Sequence, residues 1–325
     1  MATALTTLLS LPSVTLAAHA TPVDRLTRLE AALGPACPQL FIKRDDLLSF
    51  GLGGNKVRKM QAVAAEALAA GADTLITCGG MQSNHARATA AAGAALGLSV
   101  ELVLNGSAPS QPAGNTRLDQ LFGAAIHYVP SRDDRAPKMT ELAIRLKREG
   151  RHPFVVPLGA STPTGALGFA RGVAEIATGG LRPDVIIFAS SSGGTQAGLV
   201  AGCALFGLTP RILGISADES STELAGVVRT LLAAMATRLG AKPETVGATR
   251  DVEVDDGLVG EGYGVPTPAS IEATELVARR EGIVLDPVYT AKAMAGLIAR
   301  VRRGEFTKDQ TVLFWHTGGL PGYFA

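Results

Sequence analysis

The chain alternates short apolar runs with longer segments in which apolar residues recur at helical spacing, and this alternation restricts the folds it can adopt. The apolar runs have the length of buried strands. Repeated strand–helix units favour parallel sheets covered by helices on both faces. The predicted strands are 40–43, 74–78, 99–104, 125–129, 153–156, 184–189, 211–216 and 311–315.

The segments between these strands predict helices. They cover 57–70, 84–96, 114–122, 138–149, 165–178, 196–206, 223–239, 269–281 and 289–302. Single hydrophobic cores stop growing at roughly 250 to 300 residues, and this chain has 325, so two lobes are expected. We therefore predict an α/β protein with two doubly wound, mostly parallel sheets in two lobes.

The charge distribution excludes some classes of partner. The chain has 30 basic and 29 acidic residues, scattered along its length, so it has no basic patch for nucleic acid or an anionic membrane. No apolar run reaches the roughly 20 residues that a membrane helix needs. Residues 8–20 are apolar, but no Lys or Arg precedes them and Pro12 interrupts them, so we expect no signal peptide.

The cysteines indicate a reducing compartment. Cys37, Cys78 and Cys203 are far apart and odd in number, which argues against a disulfide framework and against a CxxC metal site. We expect a cytoplasmic protein without a metal ion.

One lysine has a position suited to chemistry. Gly53 and Gly54 precede Asn55 and Lys56, and a predicted helix follows. The positive end of a helix dipole disfavours an ammonium, so Lys56 is biased towards the neutral amine that attacks a carbonyl group. The alternative is a solvated lysine in a glycine-rich loop, which so short a motif does not exclude.

Ligands of doubly wound folds bind beyond the carboxyl ends of the strands, so the loops that follow strands are candidate sites. The loop 79–85 contains Gln82, Ser83, Asn84 and His85 at a predicted helix start, where main-chain amides suit a substrate carboxylate. Ser83 or Asn84 could equally be the N-cap of that helix.

A second loop, 190–195, has the sequence SSSGGT and also precedes a helix. Successive amides and hydroxyls at a helix N-terminus form an anion site. Neither GxxxxGK[ST] nor GxGxxG is present, so the loop predicts a single phosphate without a nucleotide. A flexible turn is the alternative.

Two further loops contain Tyr289 and His316, at 286–290 and 316–319. Taken singly, such a tyrosine is more commonly a packing residue and such a histidine a core residue.

Together, these motifs resemble one family over nearly the whole chain. It is the D-cysteine desulfhydrase and 1-aminocyclopropane-1-carboxylate deaminase family, which belongs to the fold-type-II pyridoxal-phosphate enzymes related to the tryptophan synthase β chain. The motifs are KRDD (43–46), GGNKVRK (53–59), QSNH (82–85), SSGGT (191–195), EGYGVP (261–266), LDPVYTAKAMAGL (285–297) and HTGG (316–319).

The resemblance implies a binding site for pyridoxal 5'-phosphate. Lys56 would bind the cofactor covalently and, once released, transfer protons, while Asn55 would hydrogen-bond the ring hydroxyl. Thr290 or Thr317 would lie near the pyridine nitrogen. The phosphate would be held by Lys59 and by Ser191, Ser192, Gly193, Gly194 and Thr195.

The resemblance also implies substrate contacts. Ser83 and Asn84 would bind the substrate carboxylate, with His85 beside them. Tyr289 would face the substrate as an acid or base, and Tyr263 is a second candidate. Lys56, Ser83 and Tyr289 are thus the expected catalytic residues. The expected assembly is a homodimer, with a large cofactor-binding domain of residues 1–54 and 165–325 and a small domain of residues 55–164.

Two positions favour one activity within the family. The deaminase pattern has a glutamate directly after the tyrosine and a leucine before the last glycine pair, whereas this chain has Thr290 and Thr317. The leading hypothesis is α,β-elimination of D-cysteine. An L-cysteate sulfo-lyase is the first alternative, although no basic residue is assigned to its sulfonate, and aminocyclopropane-carboxylate deamination is the second. A non-catalytic module that binds a small anion is a hypothesis of another class.

Overall fold

The structure is a computed structural model that describes residues 2–325, and it contains two separate β-sheets. The strands are β1 (Val23–Arg25), β2 (Gln39–Arg44), β3 (Thr74–Gly80), β4 (Ser99–Asn105), β5 (Ala125–Val129), β6 (Pro153–Val155), β7 (Val185–Ser190), β8 (Arg211–Ser216), β9 (Glu253–Asp255) and β10 (Thr311–His316).

The two sheets are almost entirely parallel. The six-stranded sheet has the order β1-β2-β10-β7-β8-β9, and the four-stranded sheet has the order β5-β4-β3-β6. Only the β1–β2 pair is antiparallel among the strands of residues 2–325. The prediction of two mostly parallel sheets in an α/β fold is confirmed.

Helices cover both sheets. They are α1 (Ala2–Ser10), α2 (Thr27–Leu33), α3 (Asn55–Ala69), α4 (Asn84–Leu96), α5 (Gly114–Leu121), α6 (Arg135–Arg148), α7 (Pro163–Ala170), α8 (Val173–Thr178), α9 (Gly194–Leu205), α10 (Ser221–Arg238), α11 (Pro268–Glu281) and α12 (Thr290–Arg302). No helix of residues 2–325 is long and apolar enough to cross a membrane.

Some elements differ from the sequence prediction. The single helix expected over 165–178 is two helices. The Gly172 amide donates a hydrogen bond to Phe169 O, only three residues earlier, and this interrupts the helical pattern. Helix α1 was not predicted, yet its Ala4 and Leu8 are buried in a core formed with α7, α9 and α10. Helix α2 and the three-residue strands β1 and β9 were also missed.

The six-stranded sheet is buried on both faces. Along β10, Val312 and Phe314 belong to one apolar cluster, and Leu313 and Trp315 belong to another on the opposite face. Because successive side chains of a strand point to opposite faces, a continuous apolar run contributes side chains to both clusters. The apolar runs in the sequence therefore correspond to strands with helices on each side.

A buried charge cluster supports the start of α3. Arg58 on α3 pairs with Asp45 at 2.7 Å and with Glu175 on α8 at 2.6 Å. Lys43 also pairs with Glu175, and the Trp315 indole donates to Asp45 at 2.8 Å. The main-chain oxygen of Asp45 accepts from the Gly54 amide at 2.8 Å. The KRDD motif thus holds the loop that leads into Lys56.

Candidate active site

One cavity lies where the carboxyl ends of strands from both sheets meet. Gly80 and Asn105 line it from the ends of β3 and β4, while Ser190 and Thr317 line it from the ends of β7 and β10. This is the position expected for ligands of doubly wound sheets.

Lys56 is the second residue of α3 and borders this cavity. Two main-chain hydrogen bonds hold the loop before it. The Gly54 amide donates to Asp45 O, and the Asn55 amide donates to Thr317 O at 3.0 Å. Gly54 has a φ of +96°, and a Cβ there would lie 3.1 Å from Thr317 O, so only glycine fits this approach.

The Lys56 amine is easier to deprotonate than an exposed lysine. Burial lowers the pKa of Lys56 to about 8. A larger fraction of the amine is therefore neutral near physiological pH, which is the form that attacks a carbonyl group. Lys56 lies in the first turn of α3, so burial acts in the same direction as the helix dipole that was expected from the sequence.

The Ser/Gly loop, residues 190–195, joins β7 to the N-terminus of α9 and faces the same cavity. Asn55 Nδ2 donates to Thr195 Oγ1 at 2.9 Å, which connects this loop to the Lys56 segment. Ser191 donates to Asp218 at 3.0 Å, and Ser161 donates to Ser192 at 2.8 Å.

Lys59 lies beneath this loop rather than in the cavity wall. Its ammonium donates to Gly159 O at 3.1 Å and to Ser161 Oγ at 3.3 Å. A Cβ on Gly194 would lie 2.8 Å from Lys59 Nζ, so the absence of a side chain there permits this contact. Burial, with the charge of Lys56 as a second cause, lowers the pKa of Lys59 well below its ordinary value.

These features fit a phosphate group. Lys59 is fully buried and forms no ion pair with a carboxylate of residues 2–325, and buried cations are normally compensated by an anion. The amides at the start of α9 add a second attraction for an anion. The Ser190 hydroxyl is buried next to the cavity and has no hydrogen-bond partner in the described chain.

The polar loop before α4 forms the opposite wall. Ser83 is the N-cap of α4, since its hydroxyl accepts from Ala86 N at 3.2 Å, and it also borders the cavity. Asn84 borders the cavity too, and its Oδ1 accepts from Asn115 Nδ2 at 3.0 Å. The capping role and the site position are therefore compatible.

His85 is buried beside them and neutral. Its Nε2 is hydrogen-bonded to Thr77 Oγ1 at 2.7 Å, while its Nδ1 has no partner among the described residues. Burial, followed by the charges of Lys56 and Lys59, lowers the pKa of His85 well below its ordinary value.

Tyr263 and Tyr289 meet at the cavity. Their hydroxyls are hydrogen-bonded to each other, and the two rings pack edge to face with centroids 5.8 Å apart. Burial raises the pKa of Tyr289 well above its ordinary value and also raises that of Tyr263. Both phenols are therefore protonated near neutral pH and can donate hydrogen bonds.

The two threonines expected near the pyridine nitrogen have different surroundings. Thr317 borders the cavity. Thr290 is fully buried away from the cavity wall, and its hydroxyl donates to Asp286 Oδ1 at 2.7 Å. The Asp286 carboxylate also accepts from the amides of Tyr289 and Thr290, so Thr290 belongs to the start of α12.

Of the other predicted site residues, Asn55, Ser191, Ser192, Gly193 and Thr195 border the cavity, while Lys59 and Gly194 lie directly behind its wall. The structure therefore brings all the predicted residues except Thr290 to the cavity or against it.

Several cavity residues were missed from the sequence. Arg132, on the loop after β5, pairs with Asp218 at 3.3 Å and lies 5.1 Å from the centre of the Tyr263 ring. Other polar residues that line the cavity and were not predicted are Asn105, Arg135, Asp218 and Glu219. Asn105 ends β4 and Asp218 follows β8, so the rule that directs attention to strand ends could have identified them.

Behind the polar loop, Asn115 connects the site to the glycine pair. Asn115 Nδ2 also donates to Gln82 O at 2.9 Å, and Asn115 Oδ1 accepts from Arg87 Nε at 2.8 Å. Arg87 in turn donates to Gly53 O at 3.0 Å. The Ser83 loop and the Lys56 loop are therefore joined by a continuous hydrogen-bond network.

Within residues 2–325, no group of three or more His, Cys, Asp or Glu side chains is arranged to hold a metal ion.

Comparisons with known proteins agree with this geometry. Curated relatives named D-cysteine desulfhydrase, from Yersinia pestis (strain Pestoides F) and Yersinia enterocolitica serotype O:8 / biotype 1B (strain NCTC 13174 / 8081), are each 39% identical, with 97% of this chain and 96% of the relative aligned. A crystal structure described as an ACC deaminase homologue superposes with a TM-score of 0.91 at 37% identity, covering 100% of this chain and 97% of its own.

A more distant structure, the processed form of threonine deaminase isoform 2 from Solanum lycopersicum, has a TM-score of 0.67 at 17% identity over 97% of this chain and 83% of its own, which shows a shared fold. Residues 14–318 match the sequence model of a family described as "Pyridoxal-phosphate dependent enzyme". The relationship expected from the motifs is confirmed, and the chain belongs to the pyridoxal-phosphate-dependent enzyme family.

Proposed function

We propose that this enzyme is a carbon–sulfur lyase that converts D-cysteine and water into pyruvate, hydrogen sulfide and ammonia. The observation that supports it most strongly is the meeting of Lys56, the Ser/Gly loop and the Tyr263–Tyr289 pair in one cavity. The near-full-length similarity to relatives named D-cysteine desulfhydrase supports the substrate.

Bound pyridoxal phosphate withdraws electrons from the substrate Cα, which makes its C–H bond acidic and allows a β-substituent to leave. The Ser/Gly loop and Lys59 would hold the phosphate, Asn55 would contact the ring hydroxyl, and Thr317 would be available to the pyridine nitrogen. Lys56, neutral in part because its pKa is about 8, accepts the proton from the substrate Cα.

The remaining residues bind the substrate and assist departure of sulfur. Ser83 and Asn84 bind the carboxylate, with His85 as a neutral neighbour that adds no competing charge. The Tyr289 hydroxyl, paired with Tyr263, donates a proton to the departing thiolate. Its raised pKa keeps the phenol protonated at neutral pH, so the hydroxyl is available to the sulfur atom as negative charge develops there.

A second candidate is elimination of sulfite from L-cysteate. Its sulfonate requires a cationic contact, and Arg132 and Arg135 both line the cavity. Arg132 is already paired with Asp218, but Arg135 makes no ion pair within residues 2–325. Ring-opening deamination of aminocyclopropane carboxylate ranks third, because Thr290 and Thr317 depart from the deaminase pattern.

A substrate panel tests the proposal. Purified holoenzyme is incubated separately with D-cysteine, L-cysteine, L-cysteate, D-serine and aminocyclopropane carboxylate, and sulfide, sulfite and keto acid are measured. We expect D-cysteine to give equimolar sulfide and pyruvate at the highest kcat/KM. Sulfite release from L-cysteate with no turnover of D-cysteine would reject the proposal in favour of the second candidate. No turnover of any substrate would favour a non-catalytic module.

We further propose a division into a large cofactor-binding domain, residues 1–54 and 165–325, and a small domain, residues 55–164. The six-stranded sheet uses strands from the first set and the four-stranded sheet uses strands from the second, which supports this division.

We also propose a homodimer in the cytoplasm. The three buried free cysteines are compatible with a reducing compartment, and the exposed Tyr323 and Phe324 are compatible with a dimer contact. Light scattering of the purified enzyme measures the assembly.

A further inference from the structure

Lys292 is a buried lysine that the mechanism above does not use. It lies on α12 three residues after Tyr289, and its side chain is fully buried. Its ammonium donates to Val259 O at 2.7 Å, to Gly262 O at 2.9 Å and to Ala217 O at 3.4 Å. It forms no ion pair with a carboxylate in the part of the chain that the structure describes.

The number of acceptors matches the charged form of the side chain. A lysine ammonium has three N–H donors, and three main-chain oxygens receive them, whereas a neutral amine has only two. Rings of main-chain carbonyls are also how proteins bind monovalent cations that have lost their hydration shell. Burial lowers the pKa of Lys292, and the nearby charge of Asp218 opposes this shift.

The three carbonyls belong to two loops that line the active-site cavity. Ala217 directly precedes Asp218 and Glu219, and Gly262 directly precedes Tyr263. The loop between β9 and α11 contains no regular secondary structure that would hold Tyr263. Lys292 therefore connects this loop to α12, the helix that begins directly after Tyr289.

We propose that Lys292 is a positioning residue, a built-in monovalent cation that holds two cavity loops against α12 and so sets the contact between Tyr263 and Tyr289. The loop-holding role follows from the contacts of Lys292. Its effect on turnover rests on the proposed function, in which the tyrosine pair assists departure of sulfur.

Replacement and chemical rescue test the proposal. Lys292→Ala leaves a cavity lined by three carbonyl oxygens. We expect kcat of the holoenzyme to fall by about 10²-fold, because a catalytic group is displaced, while KM changes less. Adding ammonium or methylammonium chloride should raise kcat of Lys292→Ala at least tenfold. The increase should saturate as the amine concentration rises. Lys292→Met should lose as much activity and not be rescued, because its side chain fills the space without a charge.

Matched controls separate rescue from a salt effect. Tetramethylammonium chloride at equal ionic strength should not restore Lys292→Ala, because it has no N–H donor. The exposed Lys308→Ala variant should keep wild-type activity with and without amines. Wild-type kcat in Lys292→Met, or equal rescue by tetramethylammonium, would overturn the proposal.

Hydrogen exchange provides a readout that is independent of the substrate. Main-chain amides of residues 256–267 and 217–219 should exchange faster in Lys292→Ala than in wild type, while those of β3 should not change. Unchanged exchange in both loops would refute the positioning role, whichever substrate the enzyme uses. If Lys292→Ala does not fold, Lys292→Gln, which retains two N–H donors but no charge, is measured instead, and the same loops should exchange faster.

Discussion

At the scale of single residues, the reactivity of Lys56 depends on how readily its amine loses a proton. Burial lowers the pKa of Lys56 to about 8, so the neutral fraction rises through pH 8 and is nearly complete one unit above it. An exposed lysine, with an ordinary pKa of about 10.4, would be only half neutral at that much higher pH.

This shift predicts a pH dependence for cofactor attachment. The rate at which apoenzyme binds pyridoxal phosphate covalently should be half-maximal near pH 8 and level off about one unit above it. Stopped-flow absorbance at the band of the lysine-bound cofactor measures the rate. A rate that keeps rising to pH 10 would mean that Lys56 is not desolvated as the structure indicates.

The tyrosine pair predicts a second residue-scale result. Tyr289→Phe removes the proposed proton donor to sulfur, and loss of a positioned acid typically costs 10²- to 10⁴-fold in rate, so we expect kcat with D-cysteine to fall by about 10² or more. Tyr263→Phe should lose less, because Tyr289 keeps its hydroxyl. Tyr128→Phe, outside the cavity lining, is the control and should be unaffected. Wild-type kcat in Tyr289→Phe would exclude the assigned role.

At the scale of elements, helix α3 is held by buried charges rather than by apolar contacts alone. Arg58 pairs with both Asp45 and Glu175, and Arg58 and Asp45 are almost fully buried. Removing one partner of a buried ion pair leaves the other charge without compensation, which costs more than the pair itself contributes.

Arg58→Met should therefore lower the free energy of unfolding by about 3–5 kcal/mol, measured by urea denaturation of the apoenzyme. Burial opposes ionisation of Asp45 and Glu175, but Arg58 outweighs it and lowers both pKa values. The stabilisation is thus complete above their unfolded pKa of about 4 and is lost as pH falls through the lower folded values.

The exposed Arg145→Met is the matched control, since its surface ion pairs with Glu101 and Glu149 should contribute less than about 1 kcal/mol. Equal losses in the two variants at neutral pH would show that the cluster does not support α3.

At the scale of the whole molecule, the strand–helix alternation was enough to predict two parallel sheets. The bounds of β5, β8 and α4 agree with the prediction residue for residue. Strands β1 and β9 have only three residues each, too few for a periodic pattern to be recognised. Local patterns therefore predicted the long elements and missed the short ones at the sheet edges.

The site was predictable where its residues lie in recognisable motifs at helix starts, as Lys56 and the Ser/Gly loop do. Arg132 and Asp218 belong to loops of different sheets, and their contact depends on how the two sheets are placed relative to each other. No local pattern contains that information. Thr290 was also predicted from its motif to contact the cofactor; its hydroxyl donates to Asp286 Oδ1, and the residue is not among those that line the cavity.

We propose that Lys56 binds the cofactor and carries out proton transfer in this cavity. Lys56→Ala tests it most directly, with the exposed Lys308→Ala as control, by the visible absorption of the lysine-bound cofactor and by pyruvate formation from D-cysteine. We predict that Lys56→Ala loses both the absorption band and turnover while Lys308→Ala keeps both. A folded Lys56→Ala enzyme with full activity would contradict the claim.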